Sequence, residues 1–195
     1  VIRTENHNFA MSPTISGFVF VGGQSTRFGS NKLFHPVNNI PMGLVVLNNL
    51  TGCVGNSCLA GLQVDHPDFV NVSRVSGDRE GHGPLGAMCD VLENATTDFV
   101  VFAPCDTPFF TAACFCNLIE GQSGHDVVVA ADIEHPQLRH WLLSCWDVEA
   151  TRDHMIRAYS SGERAIHRAI TGLNVIEQHF SHQVLTNVNT PSDTQ

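Results

Sequence analysis

Phe18-Val19-Phe20-Val21-Gly22-Gly23-Gln24-Ser25-Thr26-Arg27-Phe28-Gly29-Ser30-Asn31-Lys32 passes from an unbroken apolar run into a glycine-rich loop that carries two cations and no acid. An apolar run without polar alternation marks a strand covered on both faces. The glycines that follow let the backbone turn tightly and bring its N–H groups against phosphate oxygens, while Arg27 and Lys32 supply positive charge. The stretch reads as a buried strand delivering a nucleotide triphosphate cradle. The plainer alternative is an ordinary strand-to-helix turn.

Two phosphate loops are excluded by spacing. A Walker loop needs Lys directly after its last glycine, and here Ser30 and Asn31 separate Gly29 from Lys32. The dinucleotide fingerprint needs Gly-x-Gly-x-x-Gly, which Gly22, Gly23 and Gly29 do not satisfy.

Working outward, Pro41 sits where a helix begins, and Leu44, Val45, Leu47 and Leu50 give an apolar face that Gly52 ends. Short apolar segments recur at 58–62, 69–75, 99–103 and 127–131, separated by helical patterns at 84–95 and 111–121. Residues 139–146 read as an antiparallel strand, followed by helical patterns at 148–160 and 163–170. This alternation predicts an α/β fold: a three-layer α/β/α, Rossmann-like domain with a mostly parallel sheet and one antiparallel strand. Residues 1–13 lack periodicity and read as a loose extension, leaving 14–195 as a single domain. Thr190-Pro191-Ser192-Asp193 has the composition of a further helix cap.

Composition narrows the function. A net charge of -9 argues against a nucleic-acid binder, which needs a basic surface to displace counterions. Apolar runs such as 44–47 fall far below the roughly 20 residues that span a bilayer, and Arg3-Thr4-Glu5-Asn6 lacks a signal-peptide core, so a cytoplasmic protein with no membrane partner is expected. The 7 cysteines form no Cys-x-x-Cys pair and read as mostly buried, reduced thiols. The 11 histidines form no His-Glu-x-x-His, and surface or core histidine is the default reading for them.

Asp106, in Ala103-Pro104-Cys105-Asp106-Thr107-Pro108-Phe109, follows the strand at 99–103 directly. Parallel strands present their C-terminal ends on one edge, so Asp106 and the glycine loop are expected to share a crevice. A hard carboxylate there suits Mg²⁺; the alternative is a helix cap or turn acid. Asp78 precedes Gly81-His82-Gly83-Pro84-Leu85-Gly86, where Pro84 opens a helix; the alternative is again a surface turn acid.

The loop, Pro104-Cys105-Asp106-Thr107-Pro108 and Asn187-Val188-Asn189-Thr190-Pro191 together resemble the molybdenum cofactor guanylyltransferases of the MobA type, within the nucleotidyltransferase superfamily. The resemblance implies transfer of GMP from GTP to molybdopterin, or to its molybdenum-bearing form, with Mg²⁺ present and pyrophosphate released. It assigns Phe20, Val21, Gly22, Gly23, Lys32, Asp78 and Asp106 to the nucleotide, and Arg27, Lys32 and Asp106 to catalysis. Asp106 is also its metal ligand, and His135, Arg164, Asn187 and Asn189 line the pterin side, with Arg168 a further candidate for the pterin phosphate. Gly22-Gly23 favours guanine, because related cytidylyl enzymes carry alanine then glycine. Cofactor-delivery or acceptor proteins are the partners it leaves open.

The chain departs from that pattern in places. Phe20-Val21 stands for Leu-Ala, Phe28 for Met and Asn31 for Asp beside the lysine, and no asparagine near Ala60-Gly61 matches the family's base contact. Cytidylyl transfer, another NTP:phosphate nucleotidyl transfer, and a non-catalytic nucleotide or cofactor carrier are the alternatives.

Overall fold

Val19 and Val21 are buried in one half of the core and Phe18 and Phe20 in the other, so this strand is covered on both faces. The computed structural model of the chain describes residues 12–21, 32–61, 66–79, 81–189 and 193. Its elements are β1 (Ile15–Val21), β2 (Pro36–Val37), β3 (Ile40–Pro41), α1 (Met42–Val54), β4 (Ser57–Gly61), β5 (Arg74–Val75), α2 (Pro84–Asn94) and β6 (Phe99–Pro104). They continue with α3 (Ala112–Glu120), β7 (Val127–Asp132), β8 (Arg139–Asp147), α4 (Val148–Ser160), α5 (Ile166–Ala169), β9 (Val175–Phe180) and α6 (His182–Leu185).

Seven strands form one sheet in the order β5-β4-β1-β6-β8-β7-β9. All neighbours pair in parallel except β8, which runs antiparallel to both β6 and β7. Helices α1 and α3 pack together on one face through Val46, Leu47, Leu50, Phe115 and Leu118. Helices α2 and α4 pack on the other through Leu85, Met88, Met155 and Tyr159. The expected three layers are present. Phe102 on β6 anchors the second face, stacked on Phe20 with centroids 5.1 Å apart and edge-on to Trp146 at 6.1 Å.

Several boundaries differ from expectation. Gly52 does not end α1: it lies inside the helix where α3 approaches, and Gly55, at φ 76°, takes the left-handed cap. Residues 67–69 form a short 3-10 turn, so only Arg74–Val75 of the segment at 69–75 is strand. Helix α5 covers only Ile166–Ala169, because the Glu163 carboxylate takes the Arg164 and Ala165 N–H groups just before it. Strand β9 has no counterpart in the sequence reading; as an edge strand it is half exposed and carries Glu177, Gln178 and His179. The β2–β3 hairpin turns on Asn38 and Asn39, both at positive φ, a pair that favours such turns.

Most cysteines are free, as expected, and the correction concerns one pair. Cys53 on α1 and Cys116 on α3 are joined as a disulfide with Cα atoms 5.6 Å apart, while Cys58, Cys89, Cys105, Cys114 and Cys145 are free. The pair is 63 residues apart in sequence and meets only because the two helices pack side by side. The extension at 1–11, the loop residues Gly22, Gly23, Arg27 and Asn31, and positions 190–192 lie outside the described residues.

Candidate functional site

The chain leaves β1 through α1 towards β4 and leaves β6 through α3 towards β7, departures to opposite sides of adjacent strands. Open α/β sheets bind ligands at such a switch point, outside the carboxyl ends of the strands. Register brings those ends level: Phe20 lies opposite both Ala60 and Pro104, and Val21 opposite Gly61. A cleft of about 760 Å³ opens there, a volume suited to a nucleotide and a small acceptor.

Lys32, just beyond the loop, and Asp106, just beyond β6, meet across the cleft as an ion pair from Nζ to Oδ2. Their side chains are only 23% and 12% exposed, so the pair is shielded from solvent screening more than a surface bridge. The Asp106 turn is fixed from both sides. The Thr107 hydroxyl donates to the Pro104 carbonyl at 3.1 Å, and the Val188 N–H donates to the Asp106 carbonyl at 2.8 Å. Asp106 is not the cap of α3; Thr111 is, its hydroxyl accepting the Cys114 N–H at 3.4 Å. Burial pushes the neighbouring Cys105 thiol up to about 12, which removes it as a nucleophile at neutral pH.

Phe20, Val21, Ala60 and Gly61 floor one end of the cleft, and Gly83, Pro84 and Ala87 bring the first turn of α2 to it. That helix starts at Gly83 without a side-chain cap, leaving its N–H groups and positive dipole end for an anion. Gly61 is demanding: it sits at φ 108°, and a Cβ there would meet the Val21 carbonyl oxygen at 2.4 Å. Gly61→Ala is expected to cost about 2 kcal/mol in urea unfolding and to weaken nucleotide binding; an unchanged midpoint would contradict this crowding.

The opposite wall was only partly legible. Arg139, His140 and Trp141 at the start of β8 line the cleft, as do Ile166 and Asn187. Burial pushes the His140 imidazole below its ordinary pKa, so it faces the cleft neutral. The Arg139 Nε donates to Glu177 at 2.6 Å. Asn189 is exposed, its N–H donating to Asp193 at 2.8 Å.

Asn189 and four more expected contacts, Asp78, Arg164, Arg168 and His135, are not among the described residues that line the cleft. Asp78 is exposed in the turn before α2. Arg164 stacks on Tyr159 at 4.0 Å and donates to its carbonyl at 2.8 Å, while the neighbouring Arg168 is paired with Glu163 at 2.7 Å. His135 lies beside Asp132, its Nδ1 3.2 Å from Oδ2. Asp132 itself was missed: it closes β7 fully buried, and its partner His182 comes from 50 residues away. No local spacing signals such a meeting.

A family model for the MobA-like NTP transferase domain matches residues 17–178, from within β1 to within β9. The chain belongs to the MobA-like NTP transferase family. This MobA-like domain is a nucleotidyltransferase, and Lys32 and Asp106 fall within the matched span. It is 28% identical over 191 residues to the molybdenum cofactor guanylyltransferase of Yersinia pestis, covering 94% of each chain. Its fold is similar to that of molybdopterin-guanine dinucleotide biosynthesis protein A from Archaeoglobus fulgidus, with a TM-score of 0.70 at 20% identity over 92% of this chain and 94% of that one. It is also similar to 2-C-methyl-D-erythritol 4-phosphate cytidylyltransferase from Thermus thermophilus, with a TM-score of 0.67 at 13% identity over 90% and 94%. A MobA-like sheet is thus shared with a cytidylyl enzyme, and fold alone does not choose the base.

Proposed function

We propose that the cleft transfers GMP from GTP to the terminal phosphate of molybdopterin or its molybdenum-bearing form. The observation that carries this is the Lys32–Asp106 pair at the switch point between β1 and β6, facing the open first turn of α2. An acceptor phosphate oxygen bonds to the α-phosphorus of GTP as the bond to the β-phosphate oxygen breaks, and pyrophosphate leaves. No protein nucleophile takes part.

Lys32 meets the charge building on the triphosphate, and Arg27 is its partner from the loop. Phe20, Val21, Gly22, Gly23 and Asp78 bind the nucleotide. Asn187 contacts the acceptor from the cleft wall, and Asn189, His135 and Arg164, which lie outside the lining, complete the acceptor side by turning from their present partners. A hard carboxylate at the rim of a cleft this size fits Mg²⁺, which takes one or two carboxylates plus phosphate oxygens, so Asp106 is its holder. Held there by Asp106, Mg²⁺ would supply charge neutralisation at the α-phosphate and the departing pyrophosphate.

The guanine assignment rests on the glycine pair and on the identity to a guanylyltransferase. Pyrophosphate release in the presence of molybdopterin and Mg²⁺ tests it. GTP is expected to be used about tenfold or more better than CTP at equal concentration. Preference for CTP would move the chain to the cytidylyl reading, which the shared sheet permits; EDTA is expected to stop release with either.

A further inference from the structure

We infer that Asp132, His135 and His182 form a binding site for a divalent transition-metal ion of the zinc class, clipping the start of α6 onto the end of β7. The three ligand atoms lie within 4.8 Å of one another, with Asp132 Oδ2 at 2.6 Å from His182 Nδ1 and 3.2 Å from His135 Nδ1. Ligands bound tetrahedrally to one zinc at about 2.0–2.2 Å stand roughly 3.4 Å apart, so the Asp132–His135 separation is already close to that and the Asp132–His182 one opens by under about 1 Å to form a coordination face. Two imidazoles and one carboxylate select zinc, cobalt or nickel over magnesium.

The carboxylate is held for the purpose. Asp132 Oδ1 accepts the N–H groups of Glu134 at 2.8 Å and His135 at 3.0 Å, which fixes the direction of Oδ2. Asp132 is fully buried at the end of β7, the strand next to the sheet edge, whereas the His135 and His182 side chains are 45% and 50% exposed. That arrangement gives a rigid base, an entry path and open coordination positions. The Glu134 carboxylate also accepts the His182 N–H at 3.1 Å, setting the register of α6 against the turn.

Without metal, the same groups form a proton-shared pair: hydrogen bonding to Asp132 raises the His182 pKa. The clip matters because α6 leads into Asn187 on the cleft wall and Val188 on the Asp106 carbonyl. It is separate from the Asp106 position and rests on the geometry of this cluster alone, although His135 also stands on the acceptor side of the guanylyl reading.

Titration of the whole protein with Co²⁺ in excess Mg²⁺, followed by visible absorption, tests the site. Saturable binding displaced by Zn²⁺ is expected, and His182→Ala and His135→Gln are each expected to weaken it by about 100-fold. Asp106→Ala is expected to retain it, and amide exchange across 182–189 is expected to slow with Zn²⁺ in the parent protein. Binding unchanged in both histidine variants, a thiolate charge-transfer band, or no saturable binding would overturn the inference, the last leaving a proton-shared pair only.

Discussion

Asp106→Ala is expected to lower kcat by about 1,000-fold or more while the protein remains folded. The carboxylate sits at the C-terminal edge of the sheet, paired with Lys32, on a turn held by Thr107 and by the Val188 N–H. Those main-chain bonds do not use the carboxylate, so its removal leaves the turn in place. Lys32 loses its partner yet keeps access to water through its partial exposure, which limits the cost of the unpaired cation. The loss therefore falls on turnover rather than on folding. Pyrophosphate release measured beside a thermal unfolding curve separates the two, and full activity in this variant would sink the assignment of the cleft. A fall in kcat with little change in the KM for GTP would place the role of the carboxylate in the transition state.

Phe102→Ala is expected to cost about 3–5 kcal/mol, the usual range for emptying a fully buried aromatic site. Phe102 is completely buried and touches Phe18 and Phe20 on β1 and Trp146 on β8. All three are strand residues held by sheet hydrogen bonds, so they cannot collapse into the space left behind. Against a typical domain stability of about 5–15 kcal/mol, the variant stands close to the folding threshold. Urea unfolding with an unchanged slope and a sharply lower midpoint is the expected result; a shift below about 1 kcal/mol would show that the site repacks. Phe20 lines the cleft as well as stacking on Phe102, so weaker nucleotide binding is expected to accompany the loss.

The sequence made most of this architecture legible because the central strands are buried on both faces. Val19, Val100, Val101, Phe102 and residues 127–131 give uninterrupted apolar runs that only a covered sheet accommodates. Asp106 was equally visible, since an acid directly after such a run can only emerge at the sheet's C-terminal edge. Features made by distant residues were not visible. The Cys53–Cys116 pairing depends on how α1 lies on α3, and Asp132 with His182 on how the chain returns beside β7. Edge strand β9 hid for another reason: only Phe180 is buried, and Glu177, Gln178 and His179 interrupt its apolar residues, so its pattern is that of a polar segment. Arg164 is a different case. Its position before a helix suited an anion contact, yet the Tyr159 ring and two main-chain carbonyls occupy the guanidinium.

Strand β8 runs against its neighbours, so it begins at the edge where they finish. The residues proposed to meet the triphosphate come from the chain before position 107, and Arg139, His140 and Trp141, which line the cleft, come from the start of β8 after a separate turn. The two walls are thus inherited as separate blocks of sequence. A lineage can exchange the molecule that receives the nucleotidyl group by altering the second block while the first, and the phosphorus chemistry it performs, passes on unchanged.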